Sequence, residues 1–217
     1  MVRFGQMKKR KAFASLALIF VCWAAVAAGR QLLLFERRPK LETRNLERAK
    51  GNPRADVWVV EYFDYQCPSC GQVAPVTNSY LLTYPSRFYF QARFYPLIEH
   101  HRYALKSAIY AECVSHQHRF WPFHDLLFEE QNRWPEAPDV DDALRELARR
   151  AGVDSKSLDA CVGDPKTKEA VLKEKETANR LGVDGTPTFF VNGKMAIGTE
   201  ALKRSLDEYV QKGTERR

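Results

Sequence analysis

The chain has 217 residues, 45% of them hydrophobic, and a formal charge of +7, the composition of an ordinary globular protein with length for one substantial domain or one domain carrying an insertion. Arg3, Lys8, Lys9, Arg10 and Lys11 supply five of the positive charges, and setting them aside leaves 29 bases against 27 acids, a balance of +2. A body so close to neutral argues against nucleic acid as a partner, because nucleic-acid surfaces concentrate bases along one face.

Residues 12–28 (AFASLALIFVCWAAVAA) carry no charge and follow that basic cluster, the layout of an export signal or membrane anchor. As a helix they span about 26 Å, and extension through residues 31–35 (QLLLF) gives ample length to cross a bilayer, with Arg30 snorkelling to the interface. The apolar run exceeds the usual signal core, which favours an uncleaved anchor over residues 1–35. Ala25-Val26-Ala27 keeps cleavage open as the alternative. Either way the body is expected outside the cytoplasm, periplasmic or otherwise extracytoplasmic, possibly tethered by residues 12–35.

Residues 36–55 (ERRPKLETRNLERAKGNPRA) are dominated by charge and read as a solvated linker with a short helix around residues 41–49. Residues 57–63 (VWVVEYF), nearly continuous in β-branched and aromatic side chains, predict a buried central strand. A helix from Pro68 to Thr83, kinked at Pro75, and a strand over 87–95 follow, and strand–helix–strand implies a parallel right-handed crossover. The pattern then changes to helices over 101–114, 121–131, 140–151 and 155–162, a helical insertion spanning residues 99–175. After a helix ending near Leu181-Gly182 come strands at 188–192 and 194–197 around an Asn192-Gly193 hairpin turn, and a closing helix over 200–211. Residues 56–98 and 176–217 together form one α/β layered domain interrupted by the insertion.

At the first strand-to-helix junction stands Cys67-Pro68-Ser69-Cys70. A thiol at a helix N-terminus meets free backbone N–H groups and the positive end of the helix dipole, which stabilise its thiolate. Cys67 is therefore the candidate nucleophile, and Cys70, one turn on, reaches it to form or resolve a disulfide. Pro68 suits the first helical turn, which needs no N–H. Half a zinc site or a plain structural disulfide would use the same spacing, but no second Cys-x-x-Cys or paired histidine motif completes a metal site. Cys113-x-x-His116-x-His118 is a weaker metal alternative, and no metal is expected.

The stretch Val59-Val60-Glu61-Tyr62-Phe63-Asp64-Tyr65-Gln66-Cys67-Pro68-Ser69-Cys70 resembles the DsbA-like thiol–disulfide oxidoreductases of the thioredoxin superfamily. So does Gly185-Thr186-Pro187-Thr188-Phe189-Phe190-Val191-Asn192-Gly193, and Ala111-Glu112-Cys113 with residues 120–128 (FWPFHDLLF) is similar to that family's helical insertion. The resemblance covers residues 51–212 and implies a thioredoxin fold with an inserted α-helical domain. It implies that Thr186-Pro187 is a cis-proline loop facing the cysteines, so that Pro68, Ser69, Thr186 and Pro187 meet substrate. It also implies that Glu61, six residues before Cys67, is a buried acid relaying the proton of the resolving thiol. Burial in a central strand would raise its pKa toward neutrality, with Asp64 as the alternative acid. Pro68-Ser69 lacks the histidine found between the cysteines of the strongest oxidants, so the motif leaves the direction of exchange open.

Cys113 and Cys161 both fall in the insertion. An exported protein seldom keeps two free thiols, so a structural disulfide is expected between them, with two buried unpaired cysteines as the alternative. The function implied is donation of the Cys67–Cys70 disulfide to reduced or unfolded exported proteins, through a Cys67 mixed disulfide resolved by Cys70. No cofactor is expected beyond that redox-active disulfide. A membrane redox partner would reoxidise the enzyme, which is expected to be a monomer. A reductase or isomerase of the same fold, a non-catalytic binding module and a metal-delivery protein are the rivals.

Overall fold

A computed structural model describes residues 43–214, together with Trp23. The anchor or signal expected over residues 1–35 lies, Trp23 apart, outside the described residues. Among the described residues no helix is long and apolar enough to cross a membrane.

A five-stranded sheet carries the domain: β1 (Ala49–Gly51), β2 (Val57–Phe63), β3 (Phe88–Phe94), β4 (Thr188–Val191) and β5 (Lys194–Ile197), in the order β1-β3-β2-β4-β5. The helix α1 (Pro68–Thr83) makes the crossover between β2 and β3, which pair in parallel, while the other neighbours in the sheet are antiparallel. The two central strands, β2 and β3, are buried on both faces, and that burial takes in the polar residues Glu61, Gln91 and Arg93 along with the apolar majority. On one face Val57, Val59, Phe88, Phe90 and Phe189 pack with Val73 of α1 and with Leu202 and Leu206 of α7 (Gly198–Thr214). On the other face Val60 and Tyr62 pack with Ala178 of α6 (Pro165–Arg180) and with Val183. Asn192 and Gly193, at φ 47° and 81°, make the β4–β5 turn with the paired positive φ angles that an Asn-Gly dipeptide tolerates.

Between β3 and α6 lie α2 (Ala104–Ser115), α3 (Phe120–Glu129), α4 (Val140–Arg150) and α5 (Ser155–Val162). Their core joins Tyr110, Phe120, Phe123, Leu127, Leu144 and Leu158 to Phe63 and Phe94 at the strand ends. Asp139, Asp154 and Asp164 cap α4, α5 and α6 by accepting hydrogen bonds from the N–H groups of Asp142, Ser157 and Lys166. Helix α6 runs on through residue 175, so the expected boundary of the insertion falls inside it.

The reading of residues 36–55 as a solvated linker needs correction for its second half. Residues Thr43–Arg48 form a 3-10 helix and Ala49–Gly51 pair antiparallel with β3. Arg48 is 1% exposed, bonded to Glu174 at 2.9 Å, 3.5 Å from Glu112, with its guanidinium 4.1 Å above the Phe94 ring. A charge run reads as solvated when the carboxylates that neutralise it lie 64 and 126 residues away in the chain.

Candidate active site

Strand β2 ends at Phe63, and the turn that follows delivers Cys67 to the N-cap of α1 in extended conformation, with Pro68 as the first helical residue. The first N–H groups of the helix, those of Ser69 and Cys70, face the Cys67 sulfur. Both thiols are free; Cys67 is 7% exposed and Cys70 0%, so only the first sulfur can meet a partner without rearrangement.

The Thr186–Pro187 bond is cis and opens β4 opposite the cysteines. The Cys67 thiol donates to the Thr186 carbonyl at 3.4 Å, and the buried Thr186 Oγ1 makes no hydrogen bond among the described residues. The Cys67 pKa is lowered to about 5: the hydrogen bond from the Cys70 thiol is the largest cause, joined by the backbone N–H groups of Cys70 and Ser69 against the opposing effect of burial. Burial pushes the Cys70 thiol well above its ordinary value. One sulfur is thus an acidic nucleophile and leaving group, the other a reluctant one.

Glu61 lies in β2 between Ala92 of β3 and Phe189 of β4, 3% exposed, on the sheet face covered by α1. Burial raises its pKa to about 8, against the lowering effect of Lys50. Lys50 belongs to the edge strand β1, opposite Phe90 and so on the same sheet face. Its Nζ bonds Asn78 Oδ1 at 2.8 Å and sits 3.8 Å above the Trp121 ring. Asp125, one turn along α3 from Trp121, completes a half-buried group of charges, its pKa raised by burial. Asp64 is used differently: its oxygens accept from the N–H groups of Gln66 and Leu97 at 2.7 and 2.8 Å and contact His101 Nδ1 at 3.0 Å, tying the Cys turn to the loop after β3.

From the insertion, His124 reaches Tyr65 Oη at 3.2 Å inside a cage of Phe63, Phe120, Trp121 and Phe128. Burial holds its pKa well below the ordinary value, so the ring is neutral. The Gln131 amide donates to the Tyr65 and Cys67 carbonyls at 2.9 and 2.8 Å.

Cys113 and Cys161 form a disulfide joining α2 to α5 within the insertion. His116 and His118 contact Glu112 at 3.4 Å and Glu47 at 2.6 Å, and no cluster suited to a metal ion occurs among the described residues. The structure therefore gathers Cys67, Pro68, Ser69, Cys70, Glu61, Thr186 and Pro187 at one end of the sheet and places the second cysteine pair within the helical insertion. Lys50 and Gln131 carried no sequence signal: one lay in an apparent linker and the other was the last polar residue of the helix expected over 121–131.

The family model described as thioredoxin matches residues 43–210. The chain belongs to the thioredoxin family. Its fold is that of the DsbA-like members: it is similar to BdbD of Bacillus subtilis, with 22% identity, a TM-score of 0.65 and coverage of 76% of this chain and 92% of that one. The alpha-DsbA1 protein of Wolbachia pipientis gives 20% identity and a TM-score of 0.65 over 78% and 94% of the two chains. Among curated relatives, a Na(+)/H(+) antiporter of Salinispora tropica is 36% identical over 152 residues, 70% of this chain but 22% of its own length. A protein of Rickettsia felis, provisionally named a protein-disulfide oxidoreductase, is 24% identical over 76% of this chain and 61% of its own. The chain thus spans under a quarter of the first relative and less than two thirds of the second.

Proposed function

We propose that the chain is a thiol–disulfide oxidoreductase that donates its Cys67–Cys70 disulfide to reduced or unfolded exported proteins. The observation that carries this reading is the asymmetry of the pair: an acidic, slightly exposed Cys67 beside the Thr186 carbonyl that precedes the cis-proline, and a buried Cys70 whose thiol resists ionisation.

In the donating direction a client thiolate attacks Cys67 Sγ, the Cys67–Cys70 bond breaks, and the electron pair leaves on Cys70. Glu61, protonated near neutrality, supplies the proton that a high-pKa leaving thiolate needs. A second client thiolate then attacks the client sulfur of the mixed disulfide and expels Cys67, whose low pKa makes it a good leaving group. Attack by Cys70 on Cys67 of the same mixed disulfide, the resolution expected from the sequence, re-forms Cys67–Cys70 and releases the client thiolate, so it belongs to the reductive branch and not to donation. Pro68, Ser69, Thr186 and Pro187 form the rim against which the client chain lies. The enzyme acts as a monomer outside the cytoplasm, tethered through residues 12–35, and a membrane redox partner withdraws the two electrons.

The test is to mix oxidised protein with a reduced, unfolded client whose native form holds disulfides and count the disulfides formed by mass spectrometry. One client disulfide per Cys67–Cys70 disulfide consumed, lost in Cys67→Ser, is expected. A client that stays reduced, or disulfides in the client that become reduced when the dithiol form is added, would reverse the proposed direction.

A further inference from the structure

Resting on the thiol–disulfide reading above, we propose that Gln131, reaching from the helical insertion, is a positioning residue for the nucleophile: its amide pins the carbonyls on either side of Gln66 and thereby holds the Cys67 sulfur at the helix N-terminus. Gln131 is half-buried in the turn after α3 and uses one amide nitrogen for two carbonyls, Tyr65 at 2.9 Å and Cys67 at 2.8 Å. A primary amide has two N–H donors, so both are spent on the Cys turn.

The Cys67 carbonyl is an unusual target. It already accepts the first helical bonds, from the N–H of Cys70 at 3.0 Å and of Gly71 at 3.3 Å. The direction of that C=O fixes ψ of Cys67, and with it where Sγ lies relative to the N–H groups of Ser69 and Cys70 and to Thr186. A third donor also draws electron density from the carbonyl dipole of the nucleophile's own residue, which favours the thiolate. The sequence leaves room for this at Gly71: a Cβ built there would stand 2.6 Å from Gln131 Oε1. Glycine inside α1 weakens the helix, and the space it leaves is filled by the Gln131 head.

The two residues make a cycle whose outcome a purely structural role would not produce. On helix propensity alone Gly71→Ala strengthens α1 and leaves the active-site chemistry untouched. On the proposal it displaces Gln131 and acts on Cys67. The experiment uses the full chain, reduced, with the pH dependence of iodoacetamide alkylation at Cys67 followed by mass spectrometry, and the equilibrium with glutathione as the second readout. Gln131→Ala and Gly71→Ala should each raise the alkylation midpoint by about one pH unit, a tenfold loss of acidity consistent with one hydrogen bond. The glutathione equilibrium should move about tenfold toward the oxidised protein, since the thiolate that favours the reduced form is weakened. The double variant should move neither readout beyond Gln131→Ala alone, because once the amide is gone the methyl added by Gly71→Ala has nothing to displace. Should Gln131→Ala fold poorly, Gly71→Ala carries the test unaided. An acidic wild type whose midpoint is unmoved in either variant, or fully additive effects in the double variant, would overturn this proposal alone. A wild-type midpoint at the ordinary thiol value would overturn the underlying thiolate reading and this proposal together.

Discussion

Replacing Glu61 by glutamine keeps the shape of the buried side chain and removes its titration. In the folded protein the carboxyl holds its proton to about pH 8, whereas its ordinary value is 4.5. Between those two values the folded state binds a proton that the unfolded state has released, so stability falls as pH rises. The stabilisation is complete below about 4.5, declines through the window and is gone above about 8. At about 1.4 kcal/mol per tenfold the full span is worth about 5 kcal/mol, and about half of that once the pocket relaxes around the charge. The assay is urea unfolding of oxidised protein, in which Cys67 and Cys70 no longer titrate, at about pH 5, 7 and 9, a range chosen to bracket the titration. Relative to wild type, Glu61→Gln should gain stability steadily across that range, by about 2 to 3 kcal/mol in all, because other titrating groups cancel in the comparison. Parallel curves for the two proteins would show that Glu61 is not a buried neutral acid, and would remove the proton source from the mechanism.

Three further outcomes follow from the same structure. Lys50→Met removes the cation that lowers the Glu61 pKa, so in wild-type versus variant urea titrations the Glu61-linked loss of stability should move to higher pH; an unchanged profile would separate the two groups. Arg48→Met removes the cation that Glu174 and Glu112 share, leaving Glu174 to Arg93 and Glu112 to His116, and should cost about 2 kcal/mol, read as a lower urea midpoint, while the Cys67 alkylation rate stays at the wild-type value. Replacing Cys113 and Cys161 together by alanine opens a bridge across 48 residues, worth about 4 kcal/mol in the chain-entropy model. Thermal unfolding should show the loss, and the Cys67–Cys70 equilibrium with glutathione should not move.

The central strands, the hairpin and the inserted helices were legible because each follows from a local signal: a nearly continuous apolar run in β2, Asn192-Gly193 in the turn, aspartates before α4, α5 and α6. The cysteine pair was legible for the same reason, since its spacing and its place after a strand are both local. What escaped was set by partners far away in the chain. Arg48 and Lys50 sit in a stretch whose charge suggested solvent, yet one is buried against Glu112 and Glu174 and the other stands over Trp121 beside Asn78. Gln131 looks like any polar residue closing a helix until folding brings it to Cys67, and Gly71 looks like a weak point in a helix until the amide beside it is seen. Periodicity and motif spacing do not encode such pairings, which arise where the insertion and the edge strand close over the site.

The most direct measurement is the equilibrium of the Cys67–Cys70 pair in a glutathione buffer. A disulfide donor requires the reduced form to be favoured, which an acidic Cys67 thiolate provides. We predict a potential well above the roughly −270 mV of thioredoxin. A value at or below that figure would contradict disulfide donation and make the pair a reductant.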